Sequence, residues 1–389
     1  MRTILFTGKG GVGKTSIAAA TGVKASKFGH KTLVVSTDPA HSLADSFNIP
    51  LGKKPVKIRK NLYGEELDPQ QKMEENWGVI KDYMTRLFNW RGIEAVEAEE
   101  LAIFPGMEEL FSLLEVKKWD DDGTFDVVIL DCAPTGSTLR LLSFPEIMDW
   151  YMQRVFHIER KAAKLIRPVA SRLTTLPLPG DNIFDAVEML YENLAKMKEI
   201  LADVERSSVR LVLNPEKMVI AESRRAFTYL SLFGYPIDAV IVNRLMSKEI
   251  TDPFFDRWKK AQQEHLEEIE TSFVSLPIFT SHLFDQEIYG LELLGQLGED
   301  IYGDKDPADL FYQGIPVEIG KDNKTYYLLI NLPFSSKSDV EVLKKQNELI
   351  VKVGNYKRNI LLPLSLANKE PKRAKLEKEK LKIEFEAAS

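Results

Sequence analysis

A chain of 389 residues is too long for one simple core and predicts two or three domains. Hydrophobic residues at 44% and charged residues at 28% describe an ordinary globular protein, and a net charge of −6 gives no reason to expect nucleic acid as a partner. The single cysteine, Cys132, excludes an internal disulfide and any metal site built from clustered thiolates. No run approaches the ~18 apolar residues that span a bilayer. The chain enters a strand at once, which reads as the absence of a signal peptide and as a cytoplasmic protein, or one of a plastid stroma if an import address were removed.

The first strand, Thr3–Phe6, runs into Gly8-Lys9-Gly10-Gly11-Val12-Gly13-Lys14-Thr15, and Ser16-Ile17-Ala18-Ala19-Ala20 opens a helix. Strand, glycine-rich loop and helix in this order are the context of a phosphate-binding P-loop, G-x-x-x-x-G-K-[ST]. Residues without a Cβ let backbone N–H groups curl around a phosphate chain, and the helix N-terminus adds partial positive charge there. Gly8 to Ser16 are therefore nucleotide-binding candidates, with Lys14 reaching the β- and γ-phosphates and the Thr15 hydroxyl on Mg²⁺.

Further strands are expected at Thr32–Ser36, Phe125–Leu130, Val209–Leu213, Ala239–Val242 and Phe273–Leu276. Continuous Val/Ile/Leu strands with helices between them predict a doubly wound, mainly parallel α/β sheet with ligands beyond the carboxyl ends of the strands. Asp131, at the end of a buried strand, fits a carboxylate that holds Mg²⁺ directly or through water. Residues 70–118 and 137–205 carry helix formers and no strand signal, and read as a helical subdomain of an ATPase domain spanning 1–302. Within it, Met148, Met152 and Phe156 lie in a stretch that is apolar around most of the helix. They either line a groove for a hydrophobic ligand or simply fill the core between helices.

The segment 303–313 reads as a linker. Beyond it, strands at Thr325–Asn331, Glu348–Val353, Lys357–Leu362 and Lys380–Phe385, separated by Pro333, Gly354-Asn355 and Pro371, predict an all-β module over 314–386.

The early lysine in Lys9-Gly10-Gly11-Val12-Gly13-Lys14-Thr15 resembles the deviant P-loop of the family that holds the arsenical pump-driving, tail-anchored-protein targeting, division-site and partition ATPases. Asp38-Pro39-Ala40-His41-Ser42 narrows the resemblance to the pump and targeting branch, as does Asp131-Cys132-Ala133-Pro134-Thr135-Gly136-Ser137-Thr138-Leu139-Arg140. The resemblance implies that Lys9 crosses a homodimer interface to the partner's nucleotide and that Asp38 activates the attacking water beside Mg²⁺. A surface lysine and a helix cap are the plain alternatives. It also implies that Asn243 reads the adenine, that Glu216 contacts the nucleoside, that Pro277-Ile278-Phe279 covers the base, and that the helical subdomain forms a dimer groove for a hydrophobic helix.

The 314–386 module resembles the α-crystallin domain of small heat-shock proteins through Asn331-Leu332-Pro333, Asn347-Glu348-Leu349-Ile350-Val351 and Arg358-Asn359-Ile360-Leu361-Leu362-Pro363. A generic immunoglobulin-like sandwich is the alternative. The cysteine pair that binds a dimer-bridging zinc in eukaryotic targeting members and the cysteine triad that binds arsenite are both missing, so the resemblance implies no zinc here. Together these features point to an ATP- and Mg²⁺-dependent homodimer that handles hydrophobic or tail-anchored polypeptides and meets membranes only through its clients. The rivals are an arsenite-pump ATPase subunit and a nucleotide-switched scaffold.

Overall fold

The computed structural model describes residues 1–37, 42–103, 107–132, 143–173, 175–322 and 325–387. The central sheet is built from β1 (Arg2–Thr7), β2 (Thr32–Ser36), β3 (Val56–Arg59), β4 (Leu62–Glu66), β5 (Val127–Asp131), β6 (Ser207–Leu213), β7 (Ile237–Leu245) and β8 (Ile278–His282). Its strand order is β3-β4-β2-β5-β1-β6-β7-β8. The pairings are parallel except that of β3 with β4. β2, β5 and β6 are buried at every position, as strands covered by helices on both faces must be.

Two differences from the sequence reading have physical causes. β8 begins after Pro277, not at Phe273: Phe273 caps the helix Asp256–Ser272 and accepts from the Leu276 amide at 2.8 Å, so these residues form a turn. β3 and β4 are short and partly polar, a pattern too weak to announce strands.

The chain divides into two compact units, residues 1–66, 124–139 and 201–389, and residues 67–123 and 140–200. The second unit is helical, with helices Pro69–Trp90, Ala95–Leu101, Met107–Leu113, Glu115–Asp122, Phe144–Tyr151, His157–Leu173 and most of Asp181–Leu201. A π-helical turn, Met152–Phe156, interrupts the long helical run after Tyr151. Among the described residues, no helix is long and apolar enough to cross a membrane.

The C-terminal strands are β9 (Val317–Asp322), β10 (Thr325–Asn331), β11 (Val340–Lys345), β12 (Glu348–Val353), β13 (Tyr356–Leu361), β14 (Lys369–Glu377) and β15 (Lys380–Ala387). They form two antiparallel sheets, β14-β15-β10-β9 and β11-β12-β13. Gly354, at φ 56°, opens the two-residue turn between β12 and β13, where a hairpin needs positive φ. Pro371 does not separate strands; it sits inside edge strand β14 where the register shifts, the position a sheet tolerates for a residue with no N–H.

The C-terminal sheets pack on the helix Lys217–Phe233. Thr228 donates to the Pro333 carbonyl at 2.6 Å, and Phe334 meets Phe227 and Phe273 edge-on at 6.1 and 5.8 Å. Arg358 donates to the Leu232 carbonyl. Residues 303–313 are folded onto the sheet as well. Arg210, fully buried, pairs with Asp238 at 3.2 Å, donates to the Asp309 carbonyl at 3.1 Å and lies 4.6 Å over the Phe311 ring. Burial alone would lower the Arg210 pKa, but Asp238 and Tyr302 hold it above its ordinary value. Leaving a buried cation without its partner is costly, so this network fixes the chain between the two sheet systems.

Candidate active site

The phosphate loop lies between β1 and the helix Lys14–Lys27, at the carboxyl edge of the sheet. Gly11 and Gly13 have φ of 82° and 92°, left-handed values that a side chain resists. A Cβ on Gly8 would lie 2.2 Å from the Val212 carbonyl oxygen, so this position tolerates only glycine for steric reasons. Lys14 is buried, its Nζ 3.5 Å from the Lys9 carbonyl oxygen. Lys9 is half-buried, and Gly10 and Gly11 at the loop tip are exposed.

The Thr15 hydroxyl donates to Asp131 Oδ2 at 2.7 Å and lies 3.2 Å from the Ser42 hydroxyl. Asp131 is almost wholly buried at the end of β5. Magnesium takes hard oxygen ligands and is held in nucleotide sites by few protein groups, and the Thr15 hydroxyl beside the Asp131 carboxylate is such a donor set. Thr37 N–H bonds the Asp131 backbone carbonyl at 3.1 Å, so the chain leaves β2 beside this pair. Asp38 itself lies outside the described residues.

On the other side of the loop is a cavity of about 440 Å³, lined by Gly13, Ser16, Ser42, Asn243, Arg244 and the segment 282–289, among others. Asn243 is buried at the end of β7 and donates to the Val12 carbonyl at 2.8 Å. Its amide oxygen accepts from the Ser281 hydroxyl at 2.6 Å and from the Arg244 N–H at 2.9 Å. An amide oxygen has two lone pairs, so both are filled, and what Asn243 retains for a base is one N–H.

Pro277, Ile278 and Phe279 are not in this cavity. They lie at the amino end of β8, and Phe279 packs instead on Tyr302 and Phe311, at 5.4 and 4.7 Å. In a parallel sheet the ligand end is the carboxyl end, which puts the segment after β8, residues 282–289, at the cavity. Nor does Glu216 line it. Glu216 caps the helix Lys217–Phe233 and borders a neighbouring cavity of about 390 Å³ with Asn214, Arg244 and Trp258.

Met152 and Phe156 do not line a groove. They are 6% and 0% exposed and form an interior cluster with Ala163 and Phe184, against which Tyr151, Val187 and Tyr191 pack. Met148 is half-buried. The apolar residues that face solvent in this part of the chain are Ile147, Trp150, Ile158, Leu165 and Ile166.

Sequence reasoning missed several parts of the site. Ser42, which closes the Asp38–Ser42 motif but was given no role of its own, and Asp45 line the cavity from a short helix, Ser42–Phe47, whose Ala44 N–H is capped by the buried Glu66 carboxylate at 2.8 Å. Arg244 went unnoticed because nothing local marks an exposed arginine at a strand end. The one available signal was its place directly after Asn243.

Comparison with known proteins accounts for these features together. The family model of anion-transporting ATPases matches residues 1–303, and that of an HSP20-like domain found in these ATPases matches residues 323–385. A protein of Aquifex aeolicus named "Putative arsenical pump-driving ATPase 1" is 44% identical over 98% of this chain and 99% of its own length. A similarly named protein of Prosthecochloris vibrioformis is 42% identical over 99% of this chain and 96% of its own length. ATPase GET3B of Arabidopsis thaliana is 31% identical over 77% of this chain and 78% of its own length. The chain belongs to the ArsA family of anion-transporting ATPases and carries the family's HSP20-like C-terminal domain.

Proposed function

We propose that this ArsA-family ATPase works as a homodimer in which Mg²⁺-dependent ATP binding and hydrolysis control the holding of hydrophobic segments of membrane polypeptides. Lys14 grips the β- and γ-phosphates, Thr15 and Asp131 hold the metal, and Asp38 orients the attacking water. Lys9 acts on the partner's nucleotide, where a fixed cation stabilises charge developing at the β–γ bridge. The metal supplies polarisation of the phosphate oxygens when it is bound.

The observation that supports the client is the apolar surface of the helical unit. Ile147 and Trp150 are three residues apart, and Ile158 and Leu165 seven apart, so each pair shares a helix face, and all four are exposed. Exposed apolar groups gathered on one part of a chain mark an interaction surface. An arsenite-stimulated activity finds less support, because the one thiol, Cys132, is buried and a soft oxyanion site needs several accessible thiolates.

The test is ATP-dependent capture of a model transmembrane helix by the purified chain, run beside ATPase assays with and without arsenite. Capture without arsenite stimulation is expected; arsenite stimulation without capture would favour the pump subunit. The action of Lys9 in trans is checked separately, by mixing Lys9→Ala and wild-type chains. Activity should fall by more than the mutant fraction, and a proportional fall would confine Lys9 to its own subunit.

A further inference from the structure

Two neighbouring side chains at the end of β7 hold two neighbouring carbonyls of the phosphate loop. Asn243 donates to the Val12 carbonyl at 2.8 Å, and the Arg244 guanidinium donates to the Gly11 carbonyl at 3.1 Å. We propose that Arg244 is a positioning residue of the ATPase: it staples the tip of the phosphate loop to the strand that walls the base cavity, and so keeps the loop in its phosphate-binding shape.

The loop by itself has backbone freedom. Gly11 and Gly13 stand at φ 82° and 92°, and a peptide plane flanked by glycine turns over at little steric cost. Each such turn would exchange an inward N–H, which binds phosphate, for an inward carbonyl, which repels it. Gly10 and Gly11 are exposed and only the Val12 side chain between the glycines is buried, so packing alone does not prevent this. Bonds to the outward carbonyls do. Asn243 secures Val12 and Arg244 the residue before it, Gly11. The two staples are also tied to each other, through the bond from the Arg244 N–H to the Asn243 amide oxygen.

The backbone of Arg244 supports the assignment independently. It sits at φ 61°, a left-handed conformation that glycine or asparagine would adopt with less strain. Strain of this kind persists where the surroundings over-determine it, and it gathers at functional sites. Here it falls where the register of β7 with β8 shifts, between Val242 and Leu245, and from that irregularity the side chain reaches the loop. Arg244 also borders both cavities, the one beside Asn243 and the one beside Glu216. A base seated beside Asn243 would therefore lie against the residue that holds the loop, which joins base occupancy to loop shape.

The assignment rests on this loop being the ATP site, and it leads to a specific division of effects. Without the staple, only part of the population keeps the competent loop, and apparent affinity falls by that fraction. Once ATP is bound, its phosphates hold the loop themselves. The loss should thus appear in Kd and KM more than in kcat.

The experiment compares the full chain with Arg244→Gly, Arg244→Asn and Arg244→Lys, using a fluorescent ATP analogue for Kd, steady-state kinetics, and the Tm of the nucleotide-free protein. Glycine and asparagine relieve the φ strain, so their Tm should match or exceed that of the wild type while Kd and KM rise about tenfold. Lysine keeps the cation and should restore most of the affinity. Wild-type affinity in the glycine and asparagine variants would overturn the proposal. So would a loss confined to kcat, or a loss that follows a fall in Tm and is not restored by lysine. A wild-type chain that failed to bind the analogue would overturn the ATP-site reading itself, and the proposal with it.

Discussion

The sheet unit and the helical unit treat apolar residues differently. Around the phosphate loop, β2, β5 and β6 are buried at every position. One loop glycine there, Gly8, is fitted against a backbone atom, the Val212 carbonyl oxygen. The helical unit buries Met152, Phe156 and Phe184 but leaves Ile147, Trp150, Ile158, Leu165, Ile166 and Met189 on its surface. The first region is shaped for one rigid geometry, which phosphate chemistry needs. The second has a core of its own, with Trp77, Phe111 and Trp119 buried as well as Phe156, yet keeps these apolar side chains on its exterior, which suits partners of varied shape.

The largest effect should come from the interior of the helical unit. Replacing Met152 and Phe156 by serine removes two buried side chains at about 2–5 kcal/mol each, a sum close to the ~5–15 kcal/mol of a domain. Circular dichroism with urea should show that helical transition lost. A double variant that unfolds like the wild type would break the division between core and surface drawn here.

Next in size is Gly8→Ala. A Cβ 2.2 Å from a backbone oxygen forces the loop to move, and displacements of about 1 Å at reacting groups cost on the order of 10²-fold. ATP turnover should fall by that order with little change in Tm. Near-wild-type kcat/KM would mean that the loop is not held rigidly.

A smaller effect is expected where the C-terminal sheets meet the helix Lys217–Phe233. Arg358 is nearly buried and donates to the Leu232 carbonyl, so Arg358→Ala should cost about 1.5–3 kcal/mol. Limited proteolysis should then cut sooner between the sheet systems; an unchanged cleavage rate would show that the aromatic contacts of Phe334 suffice.

The smallest is a pH effect. Glu299, bonded to Lys24 and Lys27, has its pKa lowered from 4.5, first by the Lys24 hydrogen bond. A depressed carboxylate stabilises the fold above its unfolded value and loses that contribution as pH falls through the folded one. Since Glu299 is half exposed, the contribution is below about 1 kcal/mol. Glu299→Gln should therefore lower Tm slightly at pH 7, and the difference should shrink as pH falls below 4.5; a drop that does not shrink would refute the ionic origin.

How much of this could be read from the chain followed the same boundary. The phosphate loop was legible because its glycines and lysine are dictated by backbone geometry and charge at fixed spacing. The place of Asp131 beside Thr15 was legible because it ends an apolar strand next to the loop; its hold on Mg²⁺ is part of the proposal. The β8 boundary failed because Phe273–Leu276 is as apolar as a strand yet ends a helix. Met152 and Phe156 could not be assigned to core or groove, since periodicity on an all-round apolar helix is the same for both and the π-turn at Met152–Phe156 alters the register. Arg244 and the segment 282–289 were invisible because their part in the site is made by tertiary contact alone.

The proposed client surface is the exposed apolar face of the helical unit. The most direct test is capture of a model transmembrane helix, in the presence of ATP, by the wild type and by a variant carrying Ile158→Ser, Leu165→Ser and Ile166→Ser. These side chains already face solvent, so the variant should keep its circular dichroism spectrum while capture is lost. A folded variant that captures the helix as well as the wild type would contradict the account and move the client to another surface.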